Sequence, residues 1–320
     1  MIRILKRGWT VSMIIYFGMA ILLNACETPF VPDDPDFTPQ IVVEGYVETG
    51  TESLPAYVIL TRTIPFSASV NEQIFGDLFV NDAEVTVFDG TNTVRLTEVC
   101  LQDLTPEVKQ KVGDIIGINA DSIDNNICLY IDIFDQLKRE TGRKYDLTVH
   151  ADNQIITAST SLPEAVELSD FKWVEPSGQP IDSMAELRVI VKDPVNEKNY
   201  YRYLTATDKD RQFIPPPFGS VVDDAVFNGQ EFEIPLARAQ RRTKDLNPDT
   251  FGLYMRGDSA YIKWCTIDKA HFDFWNTRDF AAGNSGSFSS YTRVTSNIHG
   301  GIGIWGGYTV RLYRLYCPPK

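Results

Sequence analysis

The chain has 320 residues, of which 43% are hydrophobic and 12% aromatic, and its formal net charge is −13. This composition supplies enough apolar side chains for packed cores and excludes a disordered tether. The negative charge repels phosphate backbones and anionic lipid surfaces. We therefore expect no nucleic-acid partner, and no attachment to a membrane through a basic patch.

The chain begins with a basic segment that is followed by an apolar run. Arg3, Lys6 and Arg7 precede the run from Trp9 to Leu23, which is the layout of a secretory signal. The run has about fifteen residues, whereas a helix that crosses a bilayer needs roughly twenty. This length favours a signal over a transmembrane anchor.

The residues that end the apolar run predict a lipid anchor. Ala25 precedes Cys26, and Leu23 lies three positions ahead of the cysteine, as in the lipobox of bacterial lipoproteins. We expect residues 1–25 to be a signal peptide and Cys26 to be the acylated first residue of the mature chain, held in the membrane by more than one acyl chain. Removing residues 1–25 takes away three cations and no acid, so the formal charge moves from −13 to −16. A chance cysteine after a secretory segment is the alternative.

Residues 26–40 predict an extended tether, because they contain four prolines among several aspartates and few apolar residues. From residue 41 the pattern changes to short β-branched and aromatic runs of strand length, separated by turn residues. We expect an all-β chain of two antiparallel, immunoglobulin-like sandwich domains, 41–163 and 164–320. The strands expected are 41–47, 56–60, 84–88, 94–97, 145–149, 155–158, 187–191, 200–206, 231–234, 259–265 and 308–315, with 187–191 pairing with 200–206.

Two helices interrupt the strand pattern. Thr105 is a suitable N-cap before Pro106, which predicts a helical insert over residues 101–127 of the first domain. Asp268 can cap a short helix in the second domain. One side of that helix would carry His271, Phe274, Trp275 and Arg278.

Four cysteines remain once Cys26 is assigned to lipid, and an even number in an exported protein favours disulfides. Three pairings are possible. The one that keeps each bridge within one half of the chain joins Cys100 to Cys128 and Cys265 to Cys317. Four buried free thiols are the alternative. No pair has C-x-x-C spacing and no histidine lies near them in sequence, so we expect no metal site.

Motifs for cofactor binding and catalysis fail when their context is considered. Gly301–Gly306 spells a dinucleotide fingerprint, but only fourteen residues follow it, too few for the required helix and acidic residue. His150, His271 and His299 are widely separated and form no metal or catalytic motif. We expect no cofactor and no enzymatic activity.

Two sequence features suggest interaction surfaces. Arg256-Gly257-Asp258 matches an adhesion tripeptide, although a turn before a strand is the default interpretation. An exposed proline loop beside an aromatic residue and a basic cluster form a possible contact surface, with a stiff connector and a solvated surface as the alternatives. The residues of this possible surface are Pro215, Pro216, Pro217, Phe218, Arg238, Arg241 and Arg242.

Several landmarks together resemble a known family. Besides the lipobox, they are Val42–Gly45, Asp223–Phe232, Thr266–Asp268 and Ser296–Tyr308. The whole mature chain resembles an uncharacterised domain-of-unknown-function family of outer-membrane lipoproteins of the Bacteroidota, commonly encoded beside TonB-dependent receptors. The insert between Cys100 and Cys128 departs from the family pattern.

The resemblance implies an outer-membrane lipoprotein that acts as a non-catalytic accessory or ligand-binding module, with a TonB-dependent receptor as its partner. It supplies no catalytic residue. An envelope hydrolase and a structural or adhesive surface protein are the alternatives. Acidic residues after Cys26 favour the cell surface, while a periplasm-facing position stays open.

Overall fold

A computed structural model describes residues 37–65, 68, 72–116, 127–178, 181–195, 197–210, 212–216, 219–240, 247–283 and 293–320. The predicted signal peptide, Cys26 and most of the predicted tether lie outside the described residues. Among the described residues, no helix combines the length and apolar character that crossing a bilayer requires.

The described residues form mostly β-strands with a few short helices, as the sequence predicts. The strands are β1 (Ile41–Gly50), β2 (Tyr57–Arg62), β3 (Glu84–Phe88), β4 (Thr93–Arg95), β5 (Thr97–Cys100), β6 (Cys128–Ile131), β7 (Lys144–Ala151), β8 (Gln154–Ser161), β9 (Leu168–Val174), β10 (Met184–Lys192), β11 (Tyr200–Thr207), β12 (Val221–Asp223), β13 (Glu231–Pro235), β14 (Tyr254–Met255), β15 (Ser259–Ile267), β16 (Ile298–His299) and β17 (Ile302–Tyr316). The helices are α1 (Glu72–Asp77), α2 (Pro106–Ile116) and α3 (Lys269–Gly283), with 3-10 turns at Leu101–Asp103 and Pro248–Thr250.

These strands form three sheets, most of whose pairs are antiparallel. An eight-stranded sheet has the order β12-β11-β15-β17-β1-β2-β6-β5, and a five-stranded sheet has the order β16-β8-β7-β3-β4. The third sheet has the order β13-β10-β14, with β9 also pairing with β10. This is the mostly antiparallel, sandwich-like class that the sequence predicts.

The division into two separate sandwiches needs correction. The first strand, β1, pairs in parallel with the last, β17, with Gly45 opposite Trp305. The eight-stranded sheet therefore contains strands from both sides of the boundary expected between residues 163 and 164. Apart from residues 37, 38, 65 and 68, the described residues belong to one compact unit. Local patterns cannot reveal this pairing, because it joins the two ends of the chain.

The expected pairing of 187–191 with 200–206 is also wrong. Strand β10 pairs with β9, β13 and β14, whereas β11 pairs with β12 and β15 in the eight-stranded sheet. Both strands are apolar and follow one another in the chain, which is why they look like a hairpin. They lie in different sheets.

Alternation along the strands gives the eight-stranded sheet two different faces. In β1, Val43 and Val47 join the core shared with the five-stranded sheet, while Tyr46 joins a separate cluster that packs against α3. Successive side chains of a strand point to opposite faces, so Glu44 and Glu48 share the face of Tyr46. The smaller sheets cover one face, and α3 covers part of the other.

Two fully buried tryptophans fix the smaller sheets to the large one. The Trp305 indole N–H donates to the backbone carbonyl of Tyr145 at 3.0 Å, and that of Trp264 donates to the carbonyl of Val166 at 2.9 Å. Both indoles therefore bury a large apolar surface without leaving a donor unpaired.

Helix α3 begins as the sequence predicts. Asp268 accepts a hydrogen bond from the backbone N–H of His271 at 2.8 Å, which is an N-cap. Its second oxygen accepts from the hydroxyl of Thr160 at 2.6 Å, at the end of β8. The same carboxylate therefore caps the helix and ties it to the five-stranded sheet.

The predicted helical insert is partly described. Helix α2 begins at Pro106, as expected, and residues 117–126 lie outside the described residues. Cys100 and Cys128 are directly opposite one another on β5 and β6 and form the expected disulfide.

The second predicted disulfide is wrong, because Cys265 and Cys317 are buried free thiols. In the β15–β17 register, Cys265 lies opposite Val310 and Ser259 lies opposite Tyr316. Cys317 therefore lies at the other end of β15, about 20 Å away at 3.4 Å per residue. A disulfide requires Cα atoms within about 7 Å.

Candidate functional site

A pocket of about 340 Å³ opens on the face of the eight-stranded sheet that α3 partly covers. We call it the aromatic pocket. Its lining comes from β1, β2, β11, β15, β17, α3 and two loops: Glu44, Tyr46, Leu54, Tyr57, Arg202, Leu204, Gln212, Phe213, Lys263, Cys265, His271, Trp275 and Tyr308.

The wall of the pocket is a cluster of rings held at contact distance. Tyr46 lies between its neighbours, with ring centres 5.7 Å from Tyr57, 5.5 Å from His271 and 5.9 Å from Tyr308. The strand order places these tyrosines side by side, since β1 lies between β2 and β17. Tilted and edge-on pairs at these separations are favourable aromatic contacts.

Gly306 lets the helix approach the sheet at this point. A Cβ atom at Gly306 would lie 2.8 Å from His271 Nδ1 and 3.2 Å from Tyr46 Cδ1. Neither ring can yield easily, because both are packed. The absence of a side chain at this position of β17 therefore gives His271 its place against the sheet.

Arg202 is the cation inside the pocket. It lies on β11 and is only 9% exposed, with the guanidinium carbon 3.6 Å from the centre of the Trp275 ring. Stacking on an aromatic face is a favourable arrangement for a guanidinium. Within the described part of the chain the guanidinium makes no hydrogen bond and no ion pair.

Lys263 contrasts with Arg202, because its charge is neutralised. Its ammonium lies 3.0 Å from a carboxylate oxygen of Glu48, which is 1% exposed. The backbone N–H of Leu54 also donates to Glu48. The acid that lines the pocket itself, Glu44, accepts a hydrogen bond from the Tyr46 hydroxyl at 3.2 Å.

Several polar atoms of the pocket lack a partner. Four buried nitrogen atoms of the pocket have no hydrogen-bond partner among the described residues: Arg202 Nε, Trp275 Nε1 and both ring nitrogens of His271. Buried polar groups are paired in most proteins, so several unpaired ones in one place require an explanation. They mark this pocket as the candidate functional site.

Burial shifts the pKa values of two titratable side chains in the pocket. Burial raises the pKa of Cys265 to about 12, so its thiol is protonated. Burial, followed by the positive charge of Arg202, lowers the pKa of His271 well below its usual value, and the backbone of Gly307 acts weakly in the opposite direction. The thiol is therefore a poor nucleophile and the imidazole a weak base.

A second cavity, of about 450 Å³, lies beside Ser177, Glu186 and Pro248. Two acids line it: Glu186 accepts from Arg188 at 2.8 Å and from Ser177 at 2.9 Å, and Asp249 is exposed to solvent. We therefore favour the aromatic pocket, where polar atoms lack partners.

The contact surface expected from the sequence is described only in part. Pro215 is half-buried and Pro216 is buried, which argues against an exposed proline surface there. Arg238 forms an ion pair with Asp210 at 3.9 Å. The remaining members, Pro217, Phe218, Arg241 and Arg242, lie outside the described residues. The residues just before the prolines, Gln212 and Phe213, are the ones that line the pocket.

Two motifs have structural roles. The Gly301–Gly306 motif leads into a strand rather than a helix, and it lies mostly within β17 instead of before it. Both charged side chains of the adhesion tripeptide are paired, since Arg256 forms an ion pair with Glu175 at 3.2 Å and Asp258 forms one with Lys209 at 2.8 Å. Gly257 has a φ of +92°, as the predicted turn requires.

One cluster of possible metal ligands occurs among the described residues, formed by Glu98, Cys100 and Cys128. Both sulfurs are in the disulfide. They cannot act as thiolate ligands in this state.

A family model matches residues 27–314, which is most of the chain and includes every residue that lines the aromatic pocket. The family is described as Domain of unknown function (DUF4249). The chain belongs to this family. No curated protein matches the chain significantly. The match confirms the prediction that the chain belongs to a family defined by a domain of unknown function.

The sequence indicates one side of this site and misses the other. His271 and Trp275 stand out on the predicted helix α3, and β11 is recognisable as a strand. Arg202 is missed, although it is the single charged residue in the run Tyr200–Ala206. A lone cation in an apolar strand was the signal that could have found it.

Proposed function

We propose that this chain is an outer-membrane lipoprotein, anchored by acylated Cys26, that acts as a non-catalytic ligand-binding accessory to a TonB-dependent receptor. The observation that carries the binding role is the aromatic pocket, where a buried arginine, a buried histidine and a half-buried tryptophan have unpaired nitrogens. The lipobox and the lipoprotein resemblance support the anchor and the partner.

The two alternatives have less support. A hydrolase needs convergent carboxylates or a serine–histidine pair, but the described residues that line the pocket include one carboxylate, Glu44, one histidine, His271, and no serine. An adhesive protein would present the Arg256–Asp258 tripeptide on a protruding loop, but the Arg256 side chain is 10% exposed and paired.

The anchor is tested by mass spectrometry of the amino terminus. We expect the mature protein to begin at an acylated Cys26, and Cys26→Ser to leave an unprocessed precursor without lipid. A free Cys26 thiol, or an intact Met1 terminus in wild-type protein, would refute the anchor.

The orientation is tested by adding proteinase K to intact cells. We expect the chain to be degraded while a periplasmic control protein is spared. Digestion only after lysis would place the protein on the periplasmic side, and the accessory role would then concern the inner face of the receptor.

The partner is tested by co-purification from native membranes after mild detergent extraction. We expect a TonB-dependent receptor to be recovered with the wild-type protein and to be lost with Cys26→Ser, which removes the shared membrane. Recovery of the chain without any receptor would refute the accessory role and leave the pocket's binding role to be judged separately.

A further inference from the structure

The aromatic pocket contains a cation without an ion-pair partner among the described residues. The Arg202 residue is 9% exposed, and its guanidinium has neither a hydrogen bond nor an ion pair with any residue the structure describes. Burying an unpaired charge is unfavourable, and an arginine side chain stays protonated in proteins. The group that would satisfy this guanidinium is therefore an anion that enters the pocket.

The other unpaired groups favour the same type of ligand. The Trp275 indole nitrogen is a donor only, and the neutral imidazole of His271 offers one N–H. Both lack a partner of good geometry among the described residues. An oxyanion accepts several hydrogen bonds at once, so one anionic group can satisfy donors that neutral ligands leave unpaired.

The surrounding charges limit how much negative charge the ligand can carry. Lys263 is already neutralised by Glu48 at 3.0 Å, so it offers no free charge. Glu44 lines the same pocket and repels a second negative charge. The chain as a whole is acidic, which disfavours polyanions. A single negative charge fits best, and a carboxylate matches the planar fork of Arg202.

The walls specify the rest of the ligand. Five rings line the pocket besides His271: Tyr46, Tyr57, Phe213, Trp275 and Tyr308. Flat or apolar groups pack well against such surfaces. The volume of about 340 Å³ lies near the lower end of the roughly 300–1,000 Å³ that small-molecule sites occupy.

We propose that the aromatic pocket binds a small monocarboxylate with a flat or apolar body, its carboxylate on Arg202 and its body among the rings. This inference rests on the proposed ligand-binding function and names the class of ligand.

The test compares acids with their neutral amides on the full mature lipoprotein held in nanodiscs. The probe pairs are indole-3-acetate with indole-3-acetamide, 3-phenylpropionate with 3-phenylpropanamide, and hexanoate with hexanamide. Binding is measured by saturation-transfer NMR and calorimetry. We expect at least one acid to bind at least about tenfold more tightly than its amide, because the amide lacks the negative charge and has one acceptor oxygen instead of two.

Variants assign the effect to the arginine. Arg202→Met should weaken binding of that acid at least about tenfold and leave its amide unchanged. Arg202→Lys keeps the charge without the planar fork, so its affinity for the acid should lie between those of wild type and Arg202→Met. It tests the proposal if Arg202→Met does not fold. The matched control is Arg314→Met, which removes an exposed arginine lying over another ring, that of Tyr261 at 5.5 Å.

Three results would overturn the inference. These are equal binding of acids and amides, binding of acetate or inorganic phosphate as tight as that of the ring-bearing acids, and no acid binding at all. Equal binding of acids and amides would reject the carboxylate while keeping a ligand-binding protein. Acid binding without receptor co-purification would instead reject the accessory role and keep the ligand class.

Discussion

The guanidinium carbon of Arg202 lies 3.6 Å from the centre of the Trp275 ring, and this contact joins β11 to α3. The arginine is buried and the ring is half-buried. A cation over an indole contributes on the order of 0.5 to 2 kcal/mol, depending on how far it is desolvated. The position of the helix and the orientation of the pocket's free cation are therefore coupled.

Truncation of Trp275 tests this coupling. Trp275→Ala removes the ring that packs on Arg202 and contacts Phe274, with ring centres 5.3 Å apart. We expect the free energy of unfolding to fall by about 2 to 4 kcal/mol, measured by urea denaturation. Phe280→Ala, at an exposed position of the same helix, is the control and should change it by less than about 0.5 kcal/mol. Equal effects of both variants would show that the ring is not held by the contact.

A methyl group at position 306 should disturb the packing of α3 against β17. In Gly306→Ala the new atom would meet His271 Nδ1 at 2.8 Å, and overpacking of this kind costs about 1 to 3 kcal/mol. Thermal denaturation measures the loss. Gly178→Ala, where no atom lies within 4 Å of the added carbon, serves as the control. A Gly306→Ala protein as stable as wild type would mean that α3 does not press on β17 there.

Peptide mapping without reductant should find one disulfide and two thiols. We expect Cys100 joined to Cys128, and Cys265 and Cys317 to react with alkylating agents only after unfolding, since both are buried. The bridge closes a loop with a sequence separation of 28 residues. Its loss in a Cys100→Ser, Cys128→Ser double variant should lower the free energy of unfolding by about 3 to 4 kcal/mol. A Cys265–Cys317 peptide would contradict the register of β15 and β17.

His271 should make stability depend on pH in a defined range. Burial lowers its pKa well below the ordinary 6.5, so the unfolded chain binds a proton at pH values where the folded chain does not. The stabilisation is fully present above about pH 6.5 and is lost as the pH falls from there toward the folded pKa. We expect a slope of up to about 1.4 kcal/mol per pH unit from this group, absent in His271→Leu.

The pH series needs two comparisons. His150→Gln removes an exposed imidazole and is the control for the loss of a histidine that is not buried. Burial raises the pKa of Asp268, which lowers stability as the pH rises above about 3.8 and so acts in the opposite direction. Asp268 is present in both variants, and its effect cancels in their difference. A slope below pH 6.5 that His271→Leu leaves unchanged would contradict the burial of the imidazole in its neutral form.

The local pattern of apolar, turn and capping residues was enough to predict most strands and both longer helices. Strand β3 begins and ends as expected, and Asp268 and Pro106 mark the helix starts. Strand β9 was missed because it is irregular: Asp170 has a φ of +48°, and the register against β10 shifts between Arg188 and Ile190. Such a bulge breaks the alternation by which a strand is recognised.

Long-range pairing is what the pattern could not supply. The parallel contact of β1 with β17 joins residues more than 250 positions apart, which places Tyr46 beside Tyr308 and closes the pocket wall. The prediction of a second disulfide is wrong for the same reason. An even number of cysteines says nothing about the strand register that separates Cys265 from Cys317.

The most direct measurement concerns what the pocket holds in the cell. The acylated protein is extracted from native membranes and washed, and the small molecules released on denaturation are identified by mass spectrometry for wild type, Arg202→Met and Arg314→Met. We expect a small monocarboxylate to be released from wild type and Arg314→Met and to be absent from Arg202→Met. The same molecules in the same amounts from Arg202→Met as from wild type would contradict the assignment of the aromatic pocket as the binding site.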